Sequence, residues 1–145
     1  MNSFHEIMHV FGQKIGVSDL QPKEDGSYHL LFDDHWLVRC FTSGTNLIIW
    51  GVLAEIPQDQ IEARDFYRQV FKLNLIRFRK QLESVSMESQ SRELILFRKV
   101  KLALLTADDL QLMVETFVNT LEDWQRLITV KETKASPYAM PFLFP

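Results

Sequence analysis

The sequence predicts a single α+β domain, an antiparallel sheet flanked by helices, with its elements in the order α-β-β-β-α-β-β-α. Apolar residues recur at helical spacing near both ends of the patterned region and once in its middle, and strand-like runs fall between, first three and then two. The links within each group of strands are too short for the crossover that parallel neighbours require, so the strands meander. With 145 residues, 46% of them hydrophobic and 24% charged, the chain has the size and composition of one domain with a real core. Wholesale disorder is excluded.

Phe4, Ile7, Met8, Phe11 and Ile15 share one helical face, and Gly16 follows where a left-handed residue closes a helix. The polar segment 21–26 then breaks the chain. Strands are expected over 28–32, 36–42 and 47–56, with turns at Asp33-Asp34 and Ser43-Gly44-Thr45 and a stop at Pro57. In the third strand Leu47, Ile49, Gly51 and Leu53 alternate with Ile48, Trp50 and Val52, so both faces are apolar. A sheet wet on one side alternates apolar with polar. Here both sides need cover, and helices of the same chain supply one.

Asp59 and Glu62 open a second helix as an acidic relative of the capping box. It carries Phe66, Val70 and Leu73 on one stripe and Tyr67, Phe71 and Leu75 on the next. That arc exceeds the roughly 100° a helix needs against a single core, and it points to a second chain. Strands over 82–87 and 94–100 follow, joined by the turn 88–92. Thr106 and Asp109 cap a last helix whose inner face is Leu110, Met113, Val114, Phe117, Leu121, Trp124 and Ile128. The domain so read spans 1–130. The remainder, 131–145, is an extended tail, in which Pro137, Pro141 and Pro145 forbid a helix while Met140, Phe142 and Phe144 are apolar.

Charge and residue chemistry exclude more than they suggest. The net charge is −3, yet the stretch 62–101 holds ten basic and five acidic residues within an otherwise acidic chain. Overall acidity argues against general phosphate-backbone binding. Arg77-Phe78-Arg79-Lys80, with Arg98, Lys99 and Lys101, nevertheless keeps a small nucleic-acid-binding regulator as the alternative function. The ordinary role of such cations is to complement the end of a helix or attract an acidic protein.

One cysteine, Cys40, leaves no disulfide framework and no multi-cysteine zinc site, and mid-strand it reads as a small buried hydrophobe. His5 and His9 have ligand spacing but no third donor nearby, and Asp33, Asp34 and His35 fit turn chemistry. The five glycines match no phosphate loop. No catalytic residue, metal or cofactor is expected. No run approaches the 18 apolar residues of a membrane span, and no signal-peptide pattern opens the chain, so a soluble protein of a reducing cytosol is expected.

Several segments carry a resemblance. They are Lys14-Ile15-Gly16-Val17, the run 26–34 (Gly-Ser-Tyr-His-Leu-Leu-Phe-Asp-Asp), 47–53 (Leu-Ile-Ile-Trp-Gly-Val-Leu) before Pro57, Leu73-Asn74, 94–97 (Leu-Ile-Leu-Phe), and Phe117, Leu121 and Trp124. Together they make the chain resemble the class I type III secretion chaperones, the CesT/SycE-like family of small acidic bacterial dimers, over about 4–128. Phe66-Tyr67-Arg68-Gln69 and Trp124-Gln125-Arg126-Leu127 are similar to its ExsC-type members, which bind a small secreted regulator and sequester an anti-activator. Two features depart from the family: the last hairpin has Glu88-Ser89-Gln90-Ser91 where many relatives have glycine, and the proline-containing tail is additional.

The resemblance implies a cytoplasmic homodimer built around the second helix and the neighbouring strand, with Phe66, Val70, Phe71, Leu73 and Val85 at the contact. It implies that an unfolded N-terminal segment of a secreted effector or regulator wraps the dimer, by strand addition and apolar anchoring. Phe4, Met8, Leu31, Leu37, Val38 and Trp50 are the expected client residues, although alternation alone does not say which sheet face is outward. Phe142 and Phe144 of the tail are expected to dock in a client groove, since nothing local buries them.

Overall fold

The computed structural model describes residues 3–130. Helix α1 (Phe4–Lys14) starts at Ser3, whose Oγ accepts a hydrogen bond from the Glu6 amide at 3.1 Å, and gives way to Gly16 at φ +86°. Strands β1 (Tyr28–Phe32), β2 (Trp36–Ser43) and β3 (Asn46–Glu55) follow, then α2 (Gln60–Arg77), β4 (Ser84–Glu88), β5 (Glu93–Lys101) and α3 (Ala107–Val130). All pairings are antiparallel, in the order β1-β2-β3-β5-β4.

The turns follow from residue chemistry. Asp33 and Asp34 both stand at φ 55°, and the His35 amide donates to the Phe32 carbonyl at 3.0 Å, closing a tight hairpin of the hand that matches strand twist. Asp59 caps α2 by accepting from the amides of Ile61 and Glu62. Thr106 and Asp109 cap α3 reciprocally, each side chain accepting from the other's amide.

The fourth strand begins two residues later than alternation suggests. Gln81 Nε2 donates to the Glu83 carbonyl at 3.0 Å, and the buried Glu83 carboxylate accepts from Thr120 Oγ1 at 3.3 Å. These side chains hold 81–83 against α3, and Leu82 is left exposed. Pairing then runs to Glu88 opposite Glu93, so the turn is one residue shorter than expected.

Gly51 decides which face of the sheet is inward. A Cβ there would lie 3.0 Å from Leu121 Cδ1 and 3.1 Å from Phe117 Cε1, so its face lies directly on α3. Val38, Cys40, Leu47, Ile49, Leu94 and Leu96 share that face and are buried with Leu110, Val114, Phe117, Leu121 and Trp124 of α3. Phe4, Ile7, Met8 and Phe11 of α1 complete the core. Gly51→Val is expected to cost about 1–3 kcal/mol in urea denaturation through overpacking. An unchanged midpoint would contradict this close approach.

Candidate protein-binding surfaces

Among the described residues two exposed apolar surfaces stand out, toward opposite ends of the sheet. The first is the sheet face turned away from α3. Register places Leu37, Arg39 and Phe41 of β2 on it, with Leu31 of β1 and with Ile48, Trp50 and Val52 of β3. Leu31 is 60% and Leu37 50% exposed, whereas Ile48 is buried. Pairing of β2 with β3 stops at Val38 opposite Gly51. Beyond that point β2 stays with β1 and β3 with β5, and a groove opens between them, lined by Trp36, Leu37, Arg39, Trp50, Val52 and Gln125. Gln125 Nε2 donates to the Leu53 carbonyl at 3.4 Å across the floor of this opening.

The second surface is on α2. Phe71 and Leu75 are 63% and 55% exposed, and Phe78 and Leu82 continue the stripe past the end of the helix. Beside it lies a groove lined by Val70, Phe71, Asn74, Val85, Met87 and Leu94, between α2 and the edge strand β4. An apolar stripe joined to an open sheet edge is the kind of surface that isolated chains rarely leave uncovered.

The residues singled out from sequence divide accordingly. Leu31, Leu37 and Trp50 lie on the outward sheet face, Trp50 partly buried. Phe4, Met8 and Val38 are instead buried in the chain's own core, where α1 covers the inner face of the sheet, so they present no surface to a partner. Of the α2 residues, Phe71 is exposed and Leu73 partly buried, while Phe66 and Val70 face the core. The wide arc of α2 thus sorts into an inner stripe and an outer one. Val85 is partly buried in the groove beside β4. Phe142 and Phe144 lie outside the described residues. Sequence reasoning overlooked Arg39 and Phe41, for which a cation amid an apolar strand was the available signal.

The remaining polar candidates settle into structural roles. His5 Nδ1 sits 2.7 Å from the Tyr28 hydroxyl, tying α1 to β1. No group of three potential metal ligands occurs among the described residues. Cys40 is fully buried, and desolvation pushes its thiol up to about 12, far from a thiolate at neutral pH. Native protein in mildly alkaline buffer is therefore expected to resist a thiol reagent that labels it stoichiometrically in denaturant; rapid labelling of the native form would contradict the burial.

Arg77 Nη2 contacts Asp123 at 3.3 Å, and Arg98 and Lys99, adjacent on β5, point to opposite faces of the sheet. No helix among the described residues is long and apolar enough to cross a membrane.

The model of the Tir chaperone protein (CesT) family matches residues 6–125. The chain belongs to this family. Type III secretion chaperones are thus its class, and the α+β fold is shared with solved structures. The ExsC–ExsE complex matches with a TM-score of 0.66 at 21% identity, over 84% of this chain and 90% of that one. The HopA1–SchA chaperone–effector complex gives 0.67 at 11% identity, over 85% and 93%. The Yersinia pestis type III secretion chaperone SycH, in complex with a stable fragment of YscM2, gives 0.61 at 12%, over 84% and 99%. At these identities the likeness establishes the fold. No curated protein matches the chain by sequence.

Proposed function

We propose that this CesT-family protein is a cytoplasmic, homodimeric type III secretion chaperone without enzymatic activity. It binds the N-terminal segment of a secreted partner and keeps it export-competent. The carrying observation is the pair of separate apolar surfaces: the α2 stripe with the β4 edge for the second copy, the outward sheet face and its groove for the client. ExsC, SchA and SycH, which share the fold, are each seen with another polypeptide. The ExsC-type resemblance extends the reading to a regulatory role, in which a small secreted regulator and an anti-activator compete for the same chaperone. Binding of an unfolded segment buries much apolar area, and the ordering entropy of that segment keeps affinity finite.

Affinity capture of the tagged protein from its host, followed by limited proteolysis, tests this reading. A captured polypeptide protected only over an N-terminal segment is expected, and a second, folded regulator would mark the partner-switching role. Nucleic acid released by salt, with no protein partner, would overturn the reading in favour of a nucleic-acid regulator. Salt separates the two, because phosphate contacts give a steep log–log slope and apolar grooves do not. Docking of Phe142 and Phe144 in a client groove has its own test. Removing 136–145 is expected to change client affinity or dimer solubility, and no change in either would end that idea.

A further inference from the structure

On the outward sheet face Arg39 sits among apolar side chains of β2 and β3, with His29 beside it on β1 and with Lys99 and Lys101 farther off on β5. Its guanidinium carbon lies 5.2 Å from the Phe41 ring centroid and 5.7 Å from that of Trp50, and those two rings are themselves 5.8 Å apart. The cation is thus held by aromatic walls instead of by an acid. Among the described residues no carboxylate lies within ion-pair distance of it, and its buried Nε has no hydrogen-bond partner. Asp25 feels the charge of Arg39 at longer range, but its Oδ1 accepts from both the Ser27 hydroxyl at 2.6 Å and the Ser27 amide at 3.0 Å. A guanidinium held in place yet left without an acid is an incomplete pair.

We propose that Arg39 is a carboxylate-reading subsite, taking an aspartate or glutamate side chain of a client segment whose neighbouring apolar residues lie on Leu31, Leu37 and Val52; this deepens the chaperone reading of that face and rests on it. Arg39 lines the groove between β2 and β3 and also the depression near Asp25 and Ser27, so the guanidinium is approachable from two sides. The Nη atoms make no salt bridge among the described residues and are the donors left to offer. Charge decides between ligand classes. His29, opposite Arg39 on β1, is held below the ordinary imidazole range by burial first and then by Arg39 and Lys23, so it adds no second cation at neutral pH. The other cations of this face, Lys99 and Lys101, stand on β5 with β3 between them and Arg39, so a side chain between the Phe41 and Trp50 rings meets one guanidinium. That suits a single acidic side chain on an amphipathic peptide, whereas a phosphodiester chain needs several cations along its path.

The test uses two probes, N-acetyl-leucyl-aspartyl-leucinamide and its asparagine counterpart. Each is titrated at constant ionic strength into the full-length protein, while the Arg39 Nε–H and Trp50 indole resonances are followed. The aspartyl probe is expected to bind roughly three- to tenfold more tightly than the asparaginyl one. Arg39→Met, which keeps the apolar stem, and Arg39→Lys, which loses the planar fork, are expected to reduce that ratio toward one, with melting curves confirming that both fold. Equal binding of the two probes to the natural protein would overturn the subsite, as would inorganic phosphate matching the aspartyl probe, or a ratio undiminished in Arg39→Met. Failure of the broader reading looks different: host capture then yields no client segment at all, whatever the probes do.

Discussion

Replacing Phe71 and Leu75 together by aspartate is expected to turn the proposed dimer into a folded monomer. Both side chains are more than half exposed in the single chain, so their loss leaves the core around Phe66 and Val70 intact. A two-fold interface buries the same patch from each copy. Covering the exposed parts of these side chains contributes about 1–2 kcal/mol for each of the roughly four involved in a dimer. Their removal, with like charges brought face to face, should weaken self-association by roughly a hundredfold or more even after discounting area for the costs of association. Sedimentation velocity across a concentration series reads the outcome, and circular dichroism checks the fold. A variant that dimerises as tightly as the natural protein would mean that the second copy docks elsewhere.

This surface also shows where sequence reading reached its limit. Helical spacing identified α2 and its over-wide apolar arc, because three- and four-residue periodicity survives in any context. It could not say which part of the arc faced inward, since Phe66 and Phe71 are the same residue type on adjacent stripes. Only packing against α3 and the sheet separates them, burying Phe66 and exposing Phe71. The sheet posed the same problem. Alternation in β3 showed two apolar faces, and the face carrying Gly51 turned out to be inward because a bare Cα lets Phe117 and Leu121 approach the strand. Glycine in mid-strand was the legible signal for that choice. With the inward face fixed, Val38 passes to the core and Leu31, Leu37 and Trp50 stay outside. Phe4 and Met8 were misassigned for a related reason: a regular apolar stripe on a short first helix is as good for closing a core as for meeting a partner, and here it closes the core.

Trp124→Ala is expected to have the largest effect on stability, about 3–5 kcal/mol, a sizeable share of the total for a domain of this size. The ring has no solvent exposure, and its Nε1 donates to Gln81 Oε1 at 2.9 Å. That oxygen also accepts from Arg77 Nε at 3.2 Å, while the Gln81 amide nitrogen donates to the Glu83 carbonyl. Trp124 therefore joins the α3 core to the segment leading from α2 into β4, so its loss should loosen the proposed dimer edge as well as open a cavity. Trp124→Phe separates the two contributions. It keeps most of the packing and removes one hydrogen bond whose acceptor retains Arg77, so about 0.5–1.5 kcal/mol is expected for the bond, plus any cost of the smaller ring. Urea denaturation at a fixed protomer concentration measures both, since self-association would otherwise enter the apparent stability. If phenylalanine costs as much as alanine, the polar tie to Gln81 outweighs the packing of the ring. If alanine costs under about 1 kcal/mol, below the range for a filled core position, Trp124 is not the centre of this core.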